Sequence, residues 1–298
     1  MGASRSGPCR AQVIGPGRRP AELRESGFRH QVLFPAGRRP EWGGKLVTET
    51  MNDEARALRL SAWVRGLAEA PAQHYGGIEL IPLRIGRATR TTDLLLREAL
   101  SSGVLEIRER GTGAGEVEAV NRGGEAVLIL EGQPLPVLDP NPVAASSILV
   151  PALAVVVVSA GKADSRCSRV RVQEAGRGPD GTASPAPAGG HPESINRVRG
   201  QVGIVVVSRG RLLGLEIACH PAAWTALAPW AVRAWAEAAE AAASTVEPGT
   251  WMDALASAQV TTRLSRGLGR DMTIRGDGIE GEALWHEGRP LHLVAYAV

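Results

Sequence analysis

The segment between residues 201 and 218 constrains the fold of this chain more than any other feature. Its first part, Gln201–Val207, is almost entirely apolar and rich in Val and Ile, which are favoured in β-strands. Arg209 and Gly210 supply a turn, and a second apolar stretch, Leu212–Ala218, follows directly. Two apolar runs joined by a short turn with glycine predict a β-hairpin, so the chain is expected to build a β-rich core.

Further short β segments lie on both sides of this hairpin. The predicted strands are Ile78–Leu83, Val104–Glu109, Glu116–Val120, Ala126–Leu130, Ile148–Val150 and Ala154–Ser159. The second and third of these alternate apolar and polar residues, as half-exposed strands do. Together with the fourth, which follows a turn at 121–124, they predict an antiparallel meander. A short helix is predicted over Thr92–Ser101, where Asp93 and Glu98 lie early.

The C-terminal third predicts one long helix and one more hairpin. The helix begins at His220-Pro221, because proline is favoured in a first turn, and runs to about Ala243 with a break at Pro229. Its packed face is Trp224, Ala228, Ala231, Trp235 and Ala238. The final hairpin joins Glu282–His286 to Pro290–Tyr296. The predicted fold is α+β: an antiparallel, β-rich core, meander- or sandwich-like, with a packed C-terminal helix of about 20 residues and a terminal β-hairpin.

The chain is expected to hold one domain behind a long leader. Residues 1–50 are rich in Arg, Gly and Pro without apolar periodicity, so we expect a disordered leader, and we hypothesise that Met51 is the true start. Residues 51–75 predict a short helix and a linker, and residues 76–298 a single domain. A flexible insertion is expected at about 162–199, which is rich in Gly, Pro and Ser.

The predicted first helix has its own sequence signals. Asn52 or Asp53 is a good N-cap, and acidic residues follow in the first turn. Its expected apolar stripe is Leu58, Trp63 and Leu67. Mass spectrometry of the natural protein tests the start at Met51, and native peptides from residues 1–50 would contradict it.

Charge and cysteine usage limit the classes of partner. The net charge is +3, but residues 1–50 hold nine basic and four acidic residues, so the rest of the chain is slightly acidic and a nucleic-acid partner is disfavoured. The three cysteines are far apart, which favours a reducing compartment. The longest apolar run, Ile148–Val158, is too short to span a bilayer. We therefore expect a cytoplasmic protein without a membrane partner. The dominance of Ala, Gly, Val and Arg is typical of a GC-rich coding sequence and favours a bacterial source.

One segment stands out as a candidate ligand site. An apolar strand ends at Leu130 and runs into a polar, proline-rich loop that continues to Pro142. Binding groups commonly lie on such loops. The alternative is that the loop is a stiff connection, in which Asp139 and Asn141 simply form the turn. The candidate ligand-binding residues are Glu131, Gln133, Asp139, Asn141, Lys162 and His292.

The sequence contains no self-sufficient catalytic motif. No nucleophile elbow or P-loop occurs, and the six histidines have no metal-ligand spacing, so neither a cofactor nor a metal is predicted. Pairing through the last turn places His286 opposite Arg289 and His292 near Ala283, which separates the two rings. We expect these two histidines to lie on a solvated sheet face.

The order of segments resembles a known family. The residues that carry the resemblance are Asn121–Val150, with Leu130-Glu131-Gly132 and Ser147–Ala152, then Gly200–Gly203 through the Trp224 helix, Gly267-Leu268-Gly269, and His286–Ala295. This ordered set is similar to the ARG and rhodanese-phosphatase-superfamily-associated protein domain (ARPP) and covers about Gly76–Val298. The family name implies, by context alone, a link to NAD or ADP-ribose metabolism.

The chain departs from the family pattern at the candidate site. Members usually continue with Gly-Ala-x-Gln-Asn-Arg, whereas this chain has Val137–Pro142, in which Asn141 alone matches and proline replaces the arginine. A later family segment resembling Cys-Val-Glu-x-Gly-Arg-Trp aligns with Val157–Ala163, where Lys162 retains only the charge. Replacing arginine by proline removes a bidentate clamp for phosphate or carboxylate.

Three hypotheses follow from these observations. The first is a non-catalytic binding or accessory module that takes a nucleotide-type small molecule or a protein partner. The second is a hydrolase acting on a nucleotide-sugar or phosphoester, with Glu131, Asp139 and His292 as acid–base groups. The third is a structural protein-interaction module that uses a sheet face.

Overall fold

The computed structural model describes residues 51–86, 93–110, 115–137, 142–161, 196–239 and 247–298. The helices in these ranges are α1 (Asp53–Arg65), α2 (Leu96–Ser101), α3 (Pro221–Ala238) and α4 (Pro248–Ala256). The first ten strands are β1 (Leu67–Glu69), β2 (Gln73–Tyr75), β3 (Ile78–Ile85), β4 (Leu94–Leu95), β5 (Leu105–Glu109), β6 (Glu116–Asn121), β7 (Val127–Ile129), β8 (Val143–Ala144), β9 (Ile148–Val150) and β10 (Val155–Gly161). The remaining strands are β11 (Gln201–Ser208), β12 (Arg211–Ala218), β13 (Gln259–Leu264), β14 (Arg270–Gly276), β15 (Ile279–His286) and β16 (Arg289–Ala297).

A nine-stranded antiparallel sheet forms the main layer. Its order is β1-β3-β11-β12-β16-β15-β14-β13, and β2 also pairs with β3. The predicted β-rich α+β class, with a packed helix and a terminal hairpin, is confirmed. None of the helices in the described ranges is both long and apolar enough to cross a membrane.

Both faces of the central strands are covered. Successive side chains of a strand point to opposite faces, so Leu215 of β12 packs toward α1 and α4, together with Trp251 of α4. Leu213 of β12 packs toward α3, with Trp224 and Trp235 of that helix. The strands in the middle of the sheet are therefore buried on both sides, and a polar side chain there needs a protein partner.

Two smaller sheets lie beside the main one. One has the order β5-β6-β10-β8 and the other β4-β7-β9. The predicted meander is correct for β5 and β6 but wrong for the strand after them, because β7 pairs with β4 in parallel and with β9. The helix predicted from Thr92 begins only at Leu96. The two residues before it form the short strand β4, in which Leu94 donates its N–H to the Ala126 carbonyl.

Both predicted hairpins are confirmed. Arg209 and Gly210 form the β11–β12 turn at positive φ, and Glu287 and Gly288 do the same between β15 and β16. His286 lies opposite Arg289, as expected. A register shift at Leu284 and Trp285 places His292 opposite Leu284, one residue from the predicted partner.

The long helix α3 differs from the expectation at its proline. It begins after His220, as predicted, but it continues through Pro229 to Ala238 without a break. Trp224 and Trp235, on either side of this proline, pack into the same apolar cluster. This shared packing holds the helix together where proline removes a backbone hydrogen bond.

Helix α1 has the predicted N-cap but a different apolar face. The Asn52 side chain accepts the N–H of Ala55, which confirms the cap. Leu58 is 68 % exposed, so its place in the predicted apolar stripe is wrong, whereas Trp63 and Leu67 pack against the core as predicted. Leu60 and Val64 are the fully buried members of this face, because they share one side of the helix four residues apart.

The side chain of Asn121 fixes the turn that joins β6 to β7. Its amide donates to the carbonyls of Glu125 and Pro151 at 2.8 and 2.9 Å, and its oxygen accepts from Gly123 N–H at 2.9 Å. Asn121 is buried. We expect Asn121→Ala to lower the free energy of unfolding by about 2 kcal/mol, because the turn loses three hydrogen bonds made by one buried side chain. Urea denaturation measures the change.

A control for Asn121→Ala lies in the same turn. Arg122 is exposed and pairs with Glu106 at the surface. Exposed ion pairs contribute little, so Arg122→Ala is expected to cost less than about 1 kcal/mol. Equal losses in the two variants would show that the Asn121 amide does not fix the turn.

Candidate functional site

The loop that follows β7 is held in a tight turn. The N–H of Leu130 donates to the side-chain oxygen of Gln133 at 2.9 Å. Gly132 donates its N–H to the Ala144 carbonyl at 2.8 Å, and Ala144 N–H returns a bond to the Gln133 carbonyl at 2.9 Å. Gly132 has φ 78°, a value that favours glycine. These bonds fix the position of Glu131 at the turn.

A series of buried polar side chains runs from this loop along one face of the main sheet to α3. The N–H of Glu131 donates to Ser147 Oγ at 2.9 Å, and Ser147 Oγ lies 2.8 Å from Nδ1 of His292. Nε2 of His292 lies 3.1 Å from Oε1 of Glu216. Trp235 Nε1 donates to the other oxygen of Glu216 at 3.0 Å. We call these four side chains, Ser147, His292, Glu216 and Trp235, the buried polar chain.

Strand register explains why Glu216 and His292 meet. On β12 and β16, Glu216 lies opposite Val294, and Ala218 lies opposite His292. Two residues separate the partners, so Glu216 and His292 are diagonal neighbours on one face of the sheet. This face points to α3 and to the small sheet that contains β9, which places Trp235 above the carboxylate and Ser147 beside the ring.

Within the buried polar chain, every polar side-chain atom of Ser147, His292 and Glu216 has a protein partner. With Nε2–H of a neutral His292 donated to the Glu216 carboxylate, Nδ1 accepts the hydroxyl proton of Ser147. The same hydroxyl oxygen accepts from Glu131 N–H. Ser147, His292 and Glu216 are 8 %, 2 % and 1 % exposed. Such satisfied, buried networks rigidify the elements that they connect.

The predicted site residues divide into three groups. Glu131 and Gln133 are both buried in the loop, and the side-chain oxygen of Gln133 accepts the backbone N–H of Leu130. His292 reaches the same loop through Ser147. Asp139, Asn141 and Lys162 lie outside the described residues.

The prediction that His292 lies on a solvated sheet face is wrong, because α3 and the β9 sheet cover that face. His286, at the end of β15, is partly exposed. Within the described ranges, no group of three or more His, Cys, Asp or Glu side chains is arranged to hold a metal ion.

Three members of the buried polar chain were not among the predicted site residues. Glu216 has a sequence signal: it is the one charged residue in the apolar stretch Leu212–Ala218. A charge in such a strand must be paired, so a partner on a neighbouring strand could have been sought. Ser147 and Trp235 carry no comparable signal, because their partners are distant in sequence.

The comparison with protein families identifies one matching domain. The sequence model of the ARPP-1 domain (ARG and Rhodanese-Phosphatase-superfamily-associated Protein domain) matches residues 67–160 and 191–296. These ranges include the candidate loop and all four members of the buried polar chain. Neither a curated protein nor a solved structure matches the chain significantly. Since the match covers more than half of the sequence, the chain belongs to the ARG and Rhodanese-Phosphatase-superfamily-associated Protein domain family.

Proposed function

We propose that this protein is a non-catalytic binding module that takes a nucleotide-type ligand at the Leu130–Gln133 loop. The observation that supports this proposal is that the hydrogen-bonding groups of the buried polar chain already have protein partners. The Ser147 hydroxyl and both ring nitrogens of His292 have protein partners and are buried. Groups with these contacts position a loop, whereas a nucleophile needs a free face toward its substrate.

The ligand class follows from Glu131 together with the family context. A carboxylate accepts hydrogen bonds from hydroxyl groups, and acidic side chains commonly bind the hydroxyls of ribose. Glu131 sits on a backbone fixed by Ser147 and by the turn at Gly132. A fixed backbone reduces the conformational entropy that the Glu131 residue loses on binding, which favours affinity.

A thermal-shift screen with NAD, ADP-ribose and related nucleotides tests the proposal. A ligand at about 100 times its Kd stabilises a protein by about 2.7 kcal/mol, which raises the melting temperature by roughly 5–10 °C. We expect Glu131→Gln to weaken binding at least about tenfold, because the neutral amide is a poorer acceptor. Glu125→Gln is the matched control, since Glu125 is exposed in the preceding turn. A shift that survives Glu131→Gln unchanged would refute the assigned site.

A second candidate function is hydrolysis, and one observation favours it. Ser147, His292 and Glu216 are connected in the order hydroxyl, imidazole and carboxylate, the order found in serine hydrolases, although the two ring nitrogens are exchanged. In that reaction the Ser147 oxygen would attack the phosphorus or glycosidic carbon and break its bond to the leaving group, while the Ser147 proton passes to Nδ1 of His292 and from there to the leaving group; water would then cleave the covalent intermediate and restore Ser147. We favour binding because the Ser147 hydroxyl is already engaged by two protein groups, the Glu131 N–H and Nδ1 of His292.

The substitution Ser147→Ala separates the two candidates. For a binding module we expect no turnover in the wild type, and a modest affinity loss of about tenfold or less in Ser147→Ala from a loosened Glu131 backbone. For a hydrolase, the wild type would convert the ligand and Ser147→Ala would lose that activity by several orders of magnitude. Chromatography of the nucleotide after incubation with each protein distinguishes these results.

A further inference from the structure

A second polar cluster lies where β12 ends and α3 begins. His220 follows β12 and caps α3, because its Nδ1 accepts the N–H of Ala223 at 3.2 Å. Arg289, at the start of β16, reaches the same region and lies 3.9 Å from a carboxylate oxygen of Asp93. Asp93 directly precedes β4. Three separate parts of the chain therefore bring polar side chains to the start of one helix.

The tautomer of His220 leaves a buried donor in this cluster. Since Nδ1 accepts a hydrogen bond, the neutral ring carries its proton on Nε2. Burial, and secondarily the charge of Arg289, lower the pKa of His220, which keeps the ring neutral. Nε2 has no hydrogen-bond partner among the described residues, and His220 is 9 % exposed. A buried N–H of this kind requires an acceptor.

The surroundings of Nε2–H favour an anionic acceptor. The guanidinium of Arg289 contributes a positive charge, and the positive end of the dipole of an 18-residue helix lies at the same place. The first-turn N–H of Ala222 has no acceptor inside the helix. A metal ion is disfavoured, because the proton on Nε2 blocks coordination through that atom.

Three nearby groups that can carry negative charge, Asp93, Cys219 and Glu98, do not preclude such a ligand. Burial raises the pKa of Asp93 although Arg289 opposes the rise, so its carboxyl group takes up a proton more readily than an exposed one. Burial also raises the pKa of Cys219 to about 12, which keeps its thiol neutral. Glu98 accepts the N–H of Leu95 at 3.1 Å and is engaged there.

We propose that the start of α3 binds a phosphate group, which accepts hydrogen bonds from Nε2–H of His220 and from the guanidinium of Arg289. This combination of a helix N-terminus, an arginine and a neutral N–H donor suits a tetrahedral oxyanion with several acceptor oxygens. The site is distinct from the Leu130–Gln133 loop, so either can fail without the other.

Isothermal titration calorimetry with inorganic phosphate at constant ionic strength tests this site. We expect saturable binding that weakens at least about tenfold in Arg289→Gln and in His220→Asn. Asparagine retains the helix cap but lacks the Nε2–H donor, so His220→Asn tests the contact without removing the cap. Asp93→Asn removes the carboxyl group that competes with phosphate for Arg289, and it is expected to tighten binding several-fold.

The control is Arg263→Gln, which removes an exposed arginine on β13. Phosphate binding that is equal in wild type, His220→Asn and Arg289→Gln, with all proteins folded by circular dichroism, would overturn the proposal. No saturable binding to the wild type would also overturn it. Equal affinity for acetate would overturn the assignment to phosphate, because a planar carboxylate offers fewer acceptor oxygens.

Discussion

Replacing Glu216 by alanine is expected to destabilise the protein by about 3–5 kcal/mol. The substitution leaves Nε2–H of His292 and Nε1–H of Trp235 buried without their shared acceptor. Water reaches this position poorly, since Glu216 is 1 % exposed between α3 and the main sheet. For a domain of this size the melting temperature should fall by at least about 6 °C. Differential scanning calorimetry measures the shift.

Glu216→Gln is the matched variant. The glutamine side chain has the same shape and one acceptor oxygen, so it keeps one of the two hydrogen bonds and should lose clearly less stability than alanine. A fall of less than about 2 °C in Glu216→Ala would contradict the account, because the buried polar chain would then not support the fold.

Gly267→Ala is expected to cost about 3 kcal/mol and also to weaken the ligand site. A Cβ at this position would overlap the backbone carbonyl of Leu149, closer than real Cβ contacts come. Leu149 lies in β9 and also accepts the N–H of Leu268 at 2.8 Å. Ser147 immediately precedes β9, so pushing this strand outward also displaces Ser147 from His292.

The control for Gly267→Ala is Gly249→Ala in α4. A Cβ at Gly249 would have no atom within 4 Å, and alanine is a better helix former than glycine. This variant should be neutral or slightly more stable than the wild type by thermal melting. If Gly267→Ala melts at the same temperature as the wild type, the close approach of Gly267 to Leu149 of β9 is not required for stability.

Local sequence signals predicted the hairpins but not the partners of the outer strands. The turns at Arg209-Gly210 and Glu287-Gly288 are encoded within a few residues, so both hairpins could be predicted. The pairing of β7 with β4 could not be predicted, because it joins segments more than thirty residues apart and depends on packing.

The candidate site was predicted in part for the same reason. Glu131 and Gln133 end an apolar strand, which is a local signal that the sequence displays. The burial of His292 depends on α3 and β9, which cover its face of the sheet from distant parts of the chain. Alternation indicates which residues of one strand share a face, but it does not define what covers that face.

The most direct test of the central claim combines binding and turnover in one sample. Isothermal titration calorimetry measures the binding of ADP-ribose to the wild type and to Glu131→Gln. The nucleotide is then recovered, and its mass is measured by mass spectrometry. We predict saturable heat with the wild type, at least about tenfold weaker binding in Glu131→Gln, and recovery of unchanged ADP-ribose. Equal binding by both proteins, or conversion of ADP-ribose by the wild type, would contradict a non-catalytic module that binds through this loop.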